Sequence, residues 1–201
     1  MREHAHSKRA GPIGRRVDEL ELMERVRADD VSALDTLLAL YWRPLTVYAL
    51  EIVGSMDAAE DVVQDVFVRV WSRRSAWRPR GSVRSFLYRI TRNRALNERR
   101  ARRLRELWAA RERAQNAVAP ATPLRLVETR EVGERVRRAI AALPARQREI
   151  VTLARFHGLS HAQIAEVLGI SQNTVANHIR AAFAALRDAL RPLLDADSPA
   201  D

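Results

Sequence analysis

Apolar residues recur every third or fourth position along nearly the whole of this chain, and the strict alternation of a half-buried strand is absent. Only 7 glycines and 8 prolines punctuate the 201 residues, so the pattern predicts an all-α chain. Residues 1–16 carry no periodicity and read as a disordered basic arm. Beyond them the chain reads as two small helical domains, 17–113 and 131–191, joined by a flexible linker. The joining segment 114–130 begins AQNAVAPATPLRLVET, with two prolines and no sustained apolar stripe, which predicts lobes that are tethered rather than fused. Residues 192–201 read as a short acidic tail.

The spacing predicts helices over Val17 to Arg27 and Val31 to Val53, the second kinked or restarted near Pro44. Asp57 reads as the N-cap of a helix to about Trp71, and Ser82 as that of another to about Leu107. In the second lobe the expected helices are Val132 to Leu143, Arg146 to Phe156, His161 to Leu168 and Gln172 to Leu190.

Composition removes several classes of chemistry. With no cysteine, the chain has no disulfide framework, thiolate metal site or cysteine nucleophile, which fits a reducing compartment. No apolar run approaches the roughly 20 residues that span a bilayer, and the first 16 residues are polar, so the chain reads as cytoplasmic without direct membrane insertion. The formal charge is +10, yet Ser72 to Arg113 alone holds 15 arginines against Glu98, Glu106 and Glu112, a net of +12. The charge is therefore a local patch on a slightly acidic remainder, and a polyanion is its natural partner.

LSHAQIAEVLGISQNTVANHIRAAFAAL has the spacing of a C-terminal helix-turn-helix. Ser160 can cap a short helix, Gly169 supplies the turn, and Ser171 can cap a longer helix. Ile164, Ala165 and Leu168 are expected to pack on Ile170, Val175 and Ile179, leaving Gln172, Asn173, Asn177, His178 and Arg180 outward. Amide side chains can read adenine edges, and arginine can read guanine or phosphate, so this face suits a major groove.

In the first lobe, DAAEDVVQDVFVRVW sets Val62, Val63, Val66, Phe67 and Val70 on one stripe, with Glu60, Asp61, Gln64 and Asp65 away from it. An acidic face repels DNA and suits a protein partner. RPRGSVRSFLYRITRNRALNERRARR follows, where Phe86, Leu87, Ile90 and Leu96 can pack inward while arginines crowd the remaining surface. Trp77, Phe86 and Tyr88 interleave with that charge, a combination suited to an opened single strand, because each stacked base contributes about 1 to 3 kcal/mol. Extruding a base costs a few kcal/mol, so a pocket is required as well as charge.

These residues resemble the extracytoplasmic-function group of bacterial RNA polymerase sigma factors. AEDVVQDVFVRVW is similar to that group's polymerase-clamp-binding helix, FLYRITRNRALNERR to its minus-ten-reading helix, and LPARQREIVTLARFHGLSHAQIAEVLGISQNTVANHI to its region four. The resemblance covers about Leu34 to Arg103 and Val132 to Leu190, with Phe86 where the group commonly has tryptophan and Asn97 where it commonly has aspartate. It implies a monomeric, non-enzymatic subunit without cofactor or small-molecule substrate. Such a subunit binds the clamp helices and flap of core RNA polymerase, reads the minus-ten element as melted strand and the minus-thirty-five element as duplex, and is restrained by an anti-sigma factor, which can hold it at the membrane. Residue by residue, the resemblance implies polymerase contacts at Glu60, Asp61, Gln64 and Asp65, and minus-ten contacts at Trp77, Arg80, Ser82, Arg84, Arg89, Arg92 and Asn93. Minus-thirty-five contacts fall at Arg155, Ser171, Gln172, Asn173, Thr174, Asn177, His178 and Arg180.

Other chemistries have less to rest on. Asp57, Asp61 and Asp65 sit four apart but lack a second carboxylate or histidine set for a cation. His157 and His161 have a zinc-like spacing, yet Gly158 and Ser160 between them predict a helix break and a structural role. Gly81 stands alone, without a phosphate-cradling loop, and there is no nucleophile elbow. The competing reading is a LuxR-type helix-turn-helix regulator, which ISQNTVANHI also resembles; such a protein would carry a receiver or ligand domain where this chain has its acidic helix and arginine patch.

Overall fold

A computed structural model describes residues 18–78, 81–115 and 131–194, with side chains described for all but 112–115, 131–134 and 192–194. The expected arm, the tail from residue 195 onward, and all but the first two residues of the expected linker lie outside the described residues. The described residues form α1 (Glu19–Arg27), α2 (Val31–Val53), α3 (Met56–Ser72), a 3-10 turn (Arg74–Ala76) and α4 (Val83–Gln115), then α5 (Glu131–Ala142), α6 (Ala145–Arg155), α7 (His161–Leu168) and α8 (Gln172–Leu194). No strand occurs among them.

Local chemistry starts and stops most of these helices. Asp18 accepts from the Leu20 N–H at 3.0 Å to open α1, and Asp30 accepts from the Ser32 N–H at 2.9 Å to open α2. Ser82 opens α4 by accepting from the Ser85 N–H at 3.0 Å. The expected Asp57 cap is corrected: Ser55, in extended conformation, is the N-cap of α3, and Asp57 lies in the first turn. A carboxylate there still faces the positive end of the helix, which is why the residue looks like a cap in sequence. Pro44 does not restart α2. The stripe Leu37, Tyr41, Leu45, Tyr48 stays buried on both sides of it, and that packing carries the helix past the missing N–H.

In the first lobe α2, α3 and α4 pack on one another, with α1 across α2. Leu37, Leu45, Val62, Val63 and Leu87 are fully buried, each stabilising the lobe by about 1.5–3 kcal/mol. On α4 the buried stripe is Val83, Leu87, Thr91 and Ala95, four residues apart, so Phe86, Ile90 and Leu96 lie at its margin, half-buried. In the second lobe α6, α7 and α8 pack together, and α5 leans on α8.

The lobes are joined by more than a tether. α4 packs along α7, and Tyr48 and Tyr88 of the first lobe share one buried cluster with Ile150, Leu153, Leu159 and Ile164 of the second. Beside these apolar residues the contact carries arginines, tyrosines and hydroxyls, residues that a sequence pattern assigns to the surface.

Candidate nucleic-acid interface

The acidic face is built by α3. Ala59, Val62, Val63, Val66, Phe67 and Val70 are buried, which turns Glu60, Asp61 and Gln64 to solvent. Asp65 behaves differently: it accepts from Arg94 Nε on α4 at 2.7 Å and is half-buried against that guanidinium. Of the four residues expected to meet a protein partner, three are free to do so and the fourth faces back toward the arginine patch.

Where the 3-10 turn leads into α4, the surface sinks into a cavity of about 600 Å³. Trp77, Phe86, Arg89 and Asn93 line it, all four singled out by sequence, three as strand contacts and Phe86 as an interleaved aromatic. Trp77 and Phe86 are half-buried, anchored on the lobe core with part of each ring open to the cavity. Arg69, Arg73, Arg78 and Arg94 add to its wall, and of these Arg69 and Arg73 were not expected as strand contacts by any reading of the sequence. Three of these precede α4, on α3 and in the turn after it, where the expected reading helix does not reach. Arg74 holds the turn in place: its guanidinium lies 4.2 Å from the centre of the Trp71 ring and pairs with Asp29. Arg80 lies outside the described residues. Tyr88 does not belong to this surface. It is fully buried, with its hydroxyl 3.2 Å from His157 Nδ1.

Of the other expected strand contacts, Arg84 and Arg92 face the second lobe, and Ser82 lines the cavity while touching that lobe as well. Arg92 makes a two-point fork with Glu149, at 2.6 Å and 3.2 Å. Glu149 also accepts from the Tyr48 hydroxyl at 3.3 Å and from Arg146 at 3.4 Å. Its hydrogen bond raises the pKa of Arg92, while burial, and then the charge of Glu149, push the Tyr48 phenol up. Arg84 donates to the His157 carbonyl, Ser85 to Glu166, and Gln163 Nε2 to Ser82 Oγ at 3.2 Å. His157 is packed edge-on between Tyr48 and Tyr88, with ring centres 5.3 Å and 5.4 Å away.

In the second lobe α7, which packs on α4, turns at Gly169 into α8, the arrangement expected of a helix-turn-helix. Ser160 and Gln163 make a reciprocal capping box, Gly169 ends α7 at φ 65°, and Ser171 accepts from the Thr174 N–H at 3.0 Å. Ile164, Ala165, Leu168 and Val175 are buried, and Ile170 and Ile179 pack beside them. Gln172, Asn173, Asn177 and Arg180 stand exposed on one face; Thr174 and His178 are half-exposed at its edge. Arg180 donates to Asn177, and exposed Arg155 lies 5.0 Å from the centre of the Phe183 ring, so both cations are oriented before any partner arrives.

Residues 37–105 match the family described as Sigma-70 region 2, and residues 133–186 that described as Sigma-70, region 4. The ECF RNA polymerase sigma factor SigL of Mycobacterium tuberculosis is 32% identical over 165 residues, 79% of this chain and 87% of that protein. The RNA polymerase sigma-H factor of Pseudomonas aeruginosa is 31% identical over 182 residues, 87% of this chain and 94% of that one. Among solved structures, that of CnrH in complex with the cytosolic domain of CnrY is similar, with a TM-score of 0.60, 27% identity, and coverage of 90% of this chain and 99% of CnrH. The sigma factor RpoE of Bartonella quintana, solved with the anti-sigma factor NepR, shares the fold at a TM-score of 0.53 and 20% identity, over 78% of this chain and 96% of RpoE.

Proposed function

The chain belongs to the extracytoplasmic-function family of RNA polymerase sigma factors, and on that premise we propose how its surfaces divide the work of initiation. Sigma factors bind core RNA polymerase and direct it to promoters, and they are initiation factors rather than catalysts. The exposed acidic face of α3, with Glu60, Asp61 and Gln64, takes the polymerase clamp helices. The Trp77 and Phe86 cavity takes one unstacked base of the minus-ten strand, with Arg89 and Asn93 beside it and Arg84 and Arg92 on the same helix outside it. The exposed face of α8 takes the minus-thirty-five duplex, with Gln172, Asn173, Asn177 and His178 on base edges and Arg155 and Arg180 on phosphates.

The observation that carries the division is the cavity. A helix-turn-helix alone suits many regulators. A cavity with two half-buried aromatic rings and flanking arginines suits an unstacked base, whose extrusion costs a few kcal/mol and is offset by about 1 to 3 kcal/mol of stacking plus phosphate pairing. The LuxR-type reading is not favoured, because residues 37–105 match region 2 and not a receiver or ligand domain.

No helix among the described residues is long and apolar enough to cross a membrane. The protein acts in the cytoplasm, as a monomer when free, without cofactor or small-molecule substrate. CnrH was solved with CnrY and RpoE with an anti-sigma factor, and this chain is restrained by an anti-sigma partner in the same manner.

The test is transcription in vitro with sigma-free core polymerase and fragmented genomic template, with transcript starts sequenced. Discrete starts sharing two upstream elements at fixed spacing are expected. No starts, alongside sequence-specific duplex binding by the protein alone, would overturn the reading in favour of a conventional regulator.

A further inference from the structure

A second cavity, of about 740 Å³, is walled by α2 and α4 on one side and by α5 and α6 on the other, and it shares no lining residue with the cavity beside Trp77. That volume lies within the range of small-molecule sites, about 300–1,000 Å³. Arg92 and Arg99 line it from α4, Arg137 from α5, and Arg146 and Arg148 from α6. Against these five cations stand two carboxylates, Glu51 and Glu149, so the wall carries a net charge of +3. Glu149 is committed to Arg92 and Arg146, and Glu51 lies 3.9 Å from His157 Nε2. Arg99 and Arg148 are exposed and have no ion pair among the described residues.

Like charges gathered around one hollow repel one another, and an anion of several charges relieves that repulsion. A guanidinium fork matches the oxygens of a phosphate. The rest of the wall is largely apolar, with Ile52, Leu96, Ile140 and Phe156. Phe156, the residue that ends α6, is 64% exposed, so its ring has a free face to offer a flat partner. Cations and an open aromatic ring around one hollow of this size suit a ligand that is phosphate at one end and planar at the other. A nucleic-acid strand suits it less. Arg92, Leu96 and Arg99 repeat along α4 at positions i, i+4 and i+7, a different stripe from that of Phe86, Asn93 and Asn97, and α5 and α6 wall the hollow opposite them.

We propose that this cavity is a binding site for a nucleoside polyphosphate, with Arg99 and Arg148 on its phosphates and the Phe156 ring against its base. Arg137 and Arg146 add positive charge around the phosphates. Only Arg92 is common to this site and the surfaces assigned above, so the site stands in addition to the polymerase and promoter contacts and does not rest on their assignment.

The test is calorimetric titration of the full chain with ATP, with inorganic tripolyphosphate and with adenosine. ATP should bind at one site, tripolyphosphate more weakly, and adenosine not measurably. Arg99→Gln with Arg148→Gln should weaken both ATP and tripolyphosphate by about tenfold or more. Phe156→Leu should weaken ATP by about fivefold or more and leave tripolyphosphate unchanged, and Phe156→Trp should restore ATP. All three positions are exposed, so the melting temperature should stay that of the native chain. Arg100→Gln with Arg103→Gln removes the same charge from exposed positions of α4 outside the cavity and should leave ATP binding unchanged. Equal loss in that control would show general attraction to the arginine patch and overturn the proposal. It is overturned as well if millimolar ATP gives no saturable binding, or if Phe156→Leu weakens ATP and tripolyphosphate alike or neither.

Discussion

Phe86→Leu and Trp77→Leu test the cavity directly. Both rings are half-buried, packed on the lobe core from one side and open to the cavity from the other. Leucine keeps much of the apolar contact with the core, so at these half-buried positions the stability loss should stay below the roughly 3–5 kcal/mol of a buried aromatic cut back to alanine. What leucine cannot supply is a π face. Stacking on such a ring is worth about 1–3 kcal/mol per base, so each variant should weaken binding of a promoter whose minus-ten strand is already opened by about 5- to 150-fold. The assay compares holoenzyme affinity for a fork-junction template with affinity for a duplex carrying only the minus-thirty-five element. Loss on the fork with no change on the duplex is expected, together with unchanged co-purification with core polymerase. Equal loss on both templates would show general damage to the lobe, and no loss on the fork would refute the cavity as the place where a base is held.

Three further outcomes follow from named residues. Asp61→Arg should abolish co-purification with core polymerase while leaving the melting temperature within the range of a neutral surface change, whereas Asp65→Arg should in addition lower fork-template affinity, because it unseats Arg94 from the cavity wall. Asn173→Ala should cost about 1–3 kcal/mol of discrimination at one minus-thirty-five position, and an equal loss on every sequence would assign that residue to the backbone instead. Burial raises the pKa values of Tyr48 and Tyr88, so their folded values stand above that of an unfolded phenol, near 10. Their contribution is therefore intact below pH ~10 and lost as pH rises beyond it; urea midpoints should fall over that range together with the appearance of tyrosinate absorbance, and tyrosinate appearing before unfolding would contradict their burial.

The helix-turn-helix was legible because every part of it is local. Ser160, Gly169 and Ser171 act within a few residues of themselves, and the Ile164 to Ile179 stripe closes over a single turn. The α3 stripe was legible for the same reason. The lobe contact was not, since Arg92 meets Glu149 across 57 positions and Ser85 meets Glu166 across 81. One signal was present: no acidic residue stands three or four positions from Arg92 on its own helix, so any ion partner had to come from elsewhere. Tyr88 misled for a different cause, because an aromatic among arginines looks like a stacking platform until the second lobe covers it.

The chemistry of that contact also fixes how readily it can be undone. Inside each lobe the buried contacts are chiefly aliphatic, and exposing them costs about 25 cal/mol for every Å² returned to water. Between the lobes lie the Arg92–Glu149 fork, hydroxyl and amide hydrogen bonds, and three rings with polar tips. Each such hydrogen bond contributes only about 0.5–1.5 kcal/mol net, because water replaces the lost partner. Closure also leaves Arg84 Nε and His157 Nε2 buried without a hydrogen-bond partner, and a buried unsatisfied polar group costs about 1–3 kcal/mol. Parting the lobes returns both atoms to water and recovers that cost. That polar share of the contact is exchangeable with water and its losses are relieved by opening, whereas Ile150, Leu153, Leu159 and Ile164, buried in one cluster with Tyr48 and Tyr88, would have to be exposed as well for the lobes to part.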